Sequence, residues 1–154
     1  MNRAAAAEHD EVIASGVHLL QQLNMRDVPH PEADLAIEMD IHDRVTNPRG
    51  ALQGGLLATL VDVVAGRAVV DEGPRETVAT ADMTIHYLRG LTVGPALATA
   101  KVLRRGRTLA VVTVEVTDVG TGDLCATGTV AFSISPPRPG DAGGPGGSPT
   151  APPG

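Results

Sequence analysis

Aromatic side chains are almost missing from this chain of 154 residues: Tyr87 and Phe132 are the only two. Ala, Val, Leu and Ile must therefore build the core, which suits a helix packed closely on a sheet. Scarce stacking residues and a formal net charge of −6 argue against nucleic acid as a partner. Cysteine is rarer still. With Cys125 alone, no disulfide forms within the chain and a cysteine-based metal site is disfavoured, so a reducing, cytoplasmic setting is expected. The start of the chain, four alanines followed by Glu8-His9-Asp10-Glu11, has no long apolar core of a signal peptide. No later run is apolar enough to cross a bilayer without Asp62 or Arg67 interrupting it. A soluble intracellular protein is expected, with no membrane as partner. His9, His18, His30 and His42 lack metal-ligand spacing, and neither a Ser-His-Asp arrangement nor a Gly-rich phosphate loop is present.

The informative stretch is Asn47-Pro48-Arg49-Gly50-Ala51-Leu52-Gln53-Gly54-Gly55, which runs directly into an apolar segment. Asn-Pro followed by Gly signals a turn. After the glycine pair, Leu56, Leu60 and Val64 fall on one helical stripe and Leu57, Val61, Ala65 and Ala68 on another. A helix apolar nearly all round is a buried helix. Asp62 is the anomaly within it, because a carboxylate among Val61, Val63 and Val64 is costly to desolvate unless something pairs with it. Gly54 and Gly55 sit where a helix start offers free N–H groups and the positive end of its dipole, and they lack the Cβ that would keep a ligand away.

Spacing then bears on assembly. Gly55 and Asp62 are seven residues apart, so they share a face but stand roughly 10 Å apart along the axis. A carboxylate acting on a carbonyl held by the Gly55 N–H must come within about 3–3.5 Å of the reacting atom. One helix does not easily do both. Two antiparallel copies across a two-fold axis could place Gly55 of one opposite Asp62 of the other.

In chain order, residues 8–23 read as an amphipathic helix and the prolines at 29 and 31 as a loop. Residues 33–41 alternate as a half-buried strand with a wet outer face. The central helix is expected to stop near Asp71-Glu72-Gly73-Pro74. Strands are expected over 78–88, 94–105, 108–118 and 124–134. Ala79, Ala81, Met83, Ile85 and Tyr87 should share one face of the first, and Leu124, Ala126, Gly128, Val130, Phe132 and Ile134 one face of the last. Arg105-Gly106-Arg107 and Val119-Gly120-Thr121-Gly122 are short enough for hairpins. One domain is expected, of α+β class, in which four antiparallel strands in a meander wrap one long helix. The divisions are 1–32, a helix and loop; 33–135, the folded domain; and 136–154, a disordered Pro/Gly-rich tail.

This arrangement resembles the hotdog fold, and the motif resembles the phenylacetyl-CoA and 4-hydroxybenzoyl-CoA type of acyl-CoA thioesterase. In that family an Asn or Gln stands six residues before a His-Gly-Gly, and an Asp or Glu nine residues after the His. Asn47, Gln53-Gly54-Gly55 and Asp62 reproduce both intervals, with Gln53 in the place of the usual His. Asp82-Met83-Thr84-Ile85-His86-Tyr87-Leu88-Arg89 is similar to the family's strand ending in an aromatic, Leu and Arg, and Gly106-Arg107 before a Val-rich strand is similar too.

The resemblance implies hydrolysis of an acyl-CoA thioester to free acid and CoA, with CoA part of the substrate and no metal or redox cofactor. Gly55 would be an oxyanion donor, and Asp62 of a partner copy the nucleophile or the base that directs water. Asn47 would orient the substrate or that water. Gln53, unable to titrate, would hold the turn or contact substrate. Gly54 and Thr59 would lie at the substrate. Arg89, Arg104, Arg105 and Arg107 form the one concentration of positive charge and suit CoA phosphates. A homodimer or homotetramer is implied as well. The plainer readings stand beside these: Asp62 bonded to backbone or to Arg67, the glycines as packing devices, Thr59 as a local cap, solvated arginines, and a structural His86. The alternative function is a non-catalytic hotdog module that binds acyl-CoA or another apolar ligand.

Overall fold

The computed structural model describes residues 19–70 and 76–136. Of the helix expected over 8–23, only α1 (Leu19–Gln22) falls among them, and the tail beyond 136 lies outside them. The remaining elements are β1 (Met25–Asp27), β2 (Leu35–Met39), α2 (Gly54–Val69), β3 (Thr77–Tyr87), β4 (Ala96–Arg105), β5 (Leu109–Asp118) and β6 (Asp123–Ser135). Six antiparallel strands form one sheet in the order β1-β2-β4-β5-β6-β3, with α2 packed on one face. The fold is α+β of the expected kind.

The sheet is not a simple meander. Strands β4, β5 and β6 follow one another through short hairpins, closed by Gly106 N–H to Leu109 O at 2.8 Å and Gly122 N–H to Asp118 O at 2.7 Å. Both edges of β4 are occupied, by β5 and β2. Strand β3 therefore takes the free edge of β6 instead of pairing with β4, and the link through Arg89-Gly90 is a crossover rather than a hairpin turn. This order carries the sheet around α2. Strand β1 forms where a helix end and loop were expected, and pairs with β2.

Valine, alanine and leucine fill the space between helix and sheet, as the shortage of aromatics requires. Leu57, Leu60, Val61, Val64, Ala65 and Val69 are the buried face of α2, against Ala96, Ala98 and Ala100 of β4, Val112, Val114 and Val116 of β5, and Val130 and Phe132 of β6. Close approach depends on two other glycines than those at the helix start. A Cβ on Gly128 would stand 3.3 Å from Val61, and one on Gly66 would stand 3.4 Å from the Phe132 ring. Helix α2 stops at Val69, before the Gly-Pro signal, which lies outside the described residues. Arg105 Nε donates to Val69 O at 3.1 Å, satisfying one of its terminal carbonyls.

Alternation fails at three irregularities, the one in β4 being Leu103, skipped between Val102–Val112 and Arg104–Val111. Thr80 pairs with Phe132 and Asp82 with Ala131, leaving Ala81 as an extra residue in β3. The helix-facing set is thus Val78 and Thr80 before the bulge and Met83, Ile85 and Tyr87 after it, so Ala79 faces outward. At the start of β6, Cys125 is skipped between Thr117–Leu124 and Val116–Ala126, and the phase inverts: Cys125 is buried and Leu124 exposed. In β2, Ala36 on the expected wet face is buried as well.

Candidate active site

The turn before α2 is built by Asn47. Its Oδ1 accepts from Arg49 N–H at 2.8 Å and from Ala51 N–H at 3.4 Å, while its own N–H donates to Ala51 O at 2.8 Å. Gly50 closes the turn at φ 76°, a left-handed conformation that favours glycine. The chain is then fixed from two sides, by Leu52 N–H to Leu91 O at 2.7 Å and Gln53 N–H to Val45 O at 2.9 Å. Asn47 thus acts on the turn through its oxygen.

Gln53 caps α2 with its backbone, its carbonyl accepting from Leu56 N–H at 2.9 Å and Leu57 N–H at 3.1 Å. Its exposed side chain makes no capping hydrogen bond, so it is not what holds the turn. The N–H groups of Gly54 and Gly55 meet no acceptor among the described residues. A Cβ at Gly55 would touch nothing within 4 Å, so a ligand has open access to that peptide. Gly54 is covered on one side by Tyr87, whose hydroxyl donates to Gly54 O at 2.9 Å. Thr59 Oγ1 donates back to Gly55 O at 3.0 Å, a bond within the helix.

Asp62 is half-buried on the α2 face turned toward β3. Its partner is neither Arg67 nor backbone: Thr80 Oγ1 donates to Asp62 Oδ1 at 2.8 Å. Arg67 instead makes a two-pronged pair with Asp27, both bonds at 2.6 Å. That pair raises the Arg67 pKa and lowers that of Asp27, chiefly through the hydrogen bonds between them. Thr80 was missed in the sequence because it reads as one of several strand threonines. Its inward direction follows from the bulge at Ala81, which no residue pattern announces.

A second missed residue is Asp118, a carboxylate 1% exposed at the end of β5. Oδ2 accepts from Thr92 and Val93 N–H at 2.9 and 3.0 Å, and Oδ1 from Gly94 and Gly120 N–H at 2.8 and 3.1 Å. Burial pushes its pKa up, but the N–H bonds from Val93, Thr92, Gly94 and Gly120 outweigh it and the net shift is downward. It pins the segment directly after Leu91, the residue that receives Leu52 N–H. Nearby, burial pushes the Cys125 thiol up.

The four arginines do not form one group. Arg89 lies beside the start of α2, paired with Asp123 at 2.9 Å. Arg105 lies at the other end, bonded to Val69 O and paired with Glu76 at 2.6 Å. Helix α2 has 16 residues, so these positions are separated by about 24 Å of helix. Arg104 and Arg107, on the same hairpin as Arg105, are exposed and have no acidic partner among the described residues. His86 sits on the outer sheet face, where it lines a concavity with His30, Lys101 and Glu115 that holds none of the expected site residues. Among the described residues no cluster of His, Cys, Asp and Glu suits a metal ion, and no helix is long and apolar enough to cross a membrane.

Residues 49–125 match the family model described as Thioesterase superfamily. Among curated proteins, acyl-coenzyme A thioesterase 13 of Mus musculus is 37% identical over 95 residues, which span 61% of this chain and 68% of that one. Among solved structures, zebrafish thioesterase superfamily member 2 is 33% identical with a TM-score of 0.62, covering 71% of this chain and 80% of that one. A Haemophilus influenzae thioesterase superposes with a TM-score of 0.67 at 23% identity over 75% of this chain and 80% of that one, a likeness of fold.

Proposed function

This chain belongs to the thioesterase superfamily and is a thioester hydrolase, and we propose that it cleaves acyl-CoA to free acid and CoA at the start of α2. The reading is carried by one observation: an unpartnered Gly55 N–H in open space, on the same helix as a carboxylate held by Thr80. The thioester carbonyl oxygen accepts from Gly55 N–H, where the helix dipole favours the negative charge that develops on it. Asp62 takes a proton from water as the water oxygen attacks the carbonyl carbon. The C–S bond then breaks, and the proton leaves with the thiolate as CoA thiol. The step balances with water alone.

The two halves of the site come from different copies. Strand β3 is an open sheet edge, and its helix-facing side is apolar and exposed at Met83 (37%) and Tyr87 (56%). Contacts of Tyr87 with Gly54 and of Thr80 with Asp62 show that β3 runs antiparallel to α2. A two-fold axis at Thr84 sets Met83 opposite Ile85 of a second copy. With the bulge absorbing Ala81, Thr80 then stands opposite Tyr87 of that copy. Such a dimer brings Gly55 of one chain to Asp62 of the other and covers the exposed face.

Asn47 through its amide NH2, Gln53 through its free side chain, and Gly54 line the acyl entry. Arg104 and Arg107 are better suited to CoA phosphates than Arg89, which is paired. Pairing of dimers through the outer sheet face would give a tetramer. The lone buried thiol of Cys125 fits a reducing cytoplasm. Free-thiol release from a panel of aliphatic and aromatic acyl-CoAs tests the reading: hydrolysis that is lost in Asp62→Asn supports it, and no release from any member of the panel overturns it.

A further inference from the structure

Tyr87 is one of only two aromatic residues in the chain, and its hydroxyl is spent on the helix start: it donates to Gly54 O at 2.9 Å. Gly54 C=O and Gly55 N–H are the two ends of a single planar peptide. A hydrogen bond accepted at the oxygen of a peptide draws electron density from its nitrogen and strengthens the N–H as a donor. It also fixes the plane of that peptide, and so the direction of the N–H.

Two further facts make this contact more than incidental packing. A Cβ at Gly54 would stand 3.6 Å from the Tyr87 ring, so the ring lies against this peptide and holds the hydroxyl at the carbonyl's second lone pair, the first being used by the helix. The opposite side, at Gly55, is open within 4 Å. The same peptide is thus braced at its oxygen and offered to ligand at its nitrogen.

We propose that Tyr87 is a positioning residue for catalysis, which orients and polarises the Gly54–Gly55 peptide so that Gly55 N–H is a stronger oxyanion donor. The inference rests on the hydrolase reading above. Tyr87 touches neither substrate nor water in this role. Because the oxyanion charge develops in the transition state, its contribution appears in kcat and little in KM.

Tyr87→Phe tests it, since the ring and its packing remain and only the donor is lost. The variant should lower kcat about tenfold, less than the roughly 10²–10³-fold of a removed donor, because the N–H itself survives. KM should stay within about twofold. The 15N resonance of Gly55 should move upfield in the unliganded variant, as an amide does when the preceding carbonyl loses a hydrogen bond; a role in fold stability alone would lower the melting temperature and leave kcat unchanged. Tyr87→Leu, which also loses the ring, should lower the melting temperature as well. An unchanged kcat in Tyr87→Phe, or a lower kcat with an unmoved Gly55 resonance, overturns the proposal. Absence of thiol release from the native protein sinks the hydrolase reading instead, and the Gly55 resonance then decides this one.

Discussion

Thr80 Oγ1 donates to Asp62 Oδ1 at 2.8 Å, joining the middle of α2 to the edge strand β3 across a bulge at Ala81. One carboxylate oxygen is thereby fixed in space.

Removing that hydroxyl tests what the contact does. Thr80→Val keeps the β-branched shape and loses only the donor, so Asp62 can rotate. The expected loss in kcat is about ten- to a hundredfold, within the range of a mispositioned general base. Thr80→Ser, which restores the hydroxyl, should recover most of it. Steady-state kinetics of both variants measure this, and equal activity in Thr80→Val and the native protein would argue that the contact is structural.

Isotope labelling separates the two chemistries open to Asp62. In a single turnover with enzyme in excess and H2 18O as solvent, attack by water places one 18O in the released acid. An acyl-aspartate intermediate opened by water at its aspartyl carbonyl would instead leave the first acid unlabelled and carry the label into the protein. Mass spectrometry of the acid should show the label.

Sharing of a site between copies predicts complementation. Gly55→Pro removes the N–H at a first-turn position where proline is tolerated, and Asp62→Asn removes the base; each alone should be nearly inactive. Mixed dimers contain one site with both groups intact. Statistical exchange makes half of the dimers mixed, so about a quarter of native activity should return on mixing. No recovery after verified subunit exchange, or a monomer in light scattering, would sink the shared site.

Asp118 carries a prediction about stability and acid. Its folded pKa lies below the ordinary aspartate value, so it contributes stability above that value which is lost as pH falls through the folded pKa. Asn at this position offers one acceptor oxygen to four N–H donors, and Asp118→Asn should cost about 2–4 kcal/mol at neutral pH. Urea unfolding at several pH values measures it. The difference between variant and native protein should shrink at acid pH, where the native carboxylate is protonated too.

The spacing of the candidate site residues was legible in the sequence because it is local. A turn-forming Asn47, a glycine pair and Asp62 within one apolar helical run fix which residues lie at a helix start and which lie two turns on. The hairpins between β4, β5 and β6 were legible for the same reason, since a short Gly-containing link leaves few alternatives. Residues whose roles depend on distant backbone were not. Asp118 reads as the polar end of a Val-rich strand, yet becomes a buried knot because segments 92–94 and 120 converge on it.

Periodicity, a motif and the scarcity of aromatics thus determined the class of fold, the central helix and which residues stand at its start, all consequences of near neighbours along the chain. Tertiary structure decided the rest. It sent β3 to the edge of β6 because β4 had no free side, turned Thr80 inward through one extra residue, and spread the arginines to opposite ends of α2. Each of these depends on which hydrogen-bonding edges remain open when strands pair, and that competition is settled only when the whole sheet has closed around the helix.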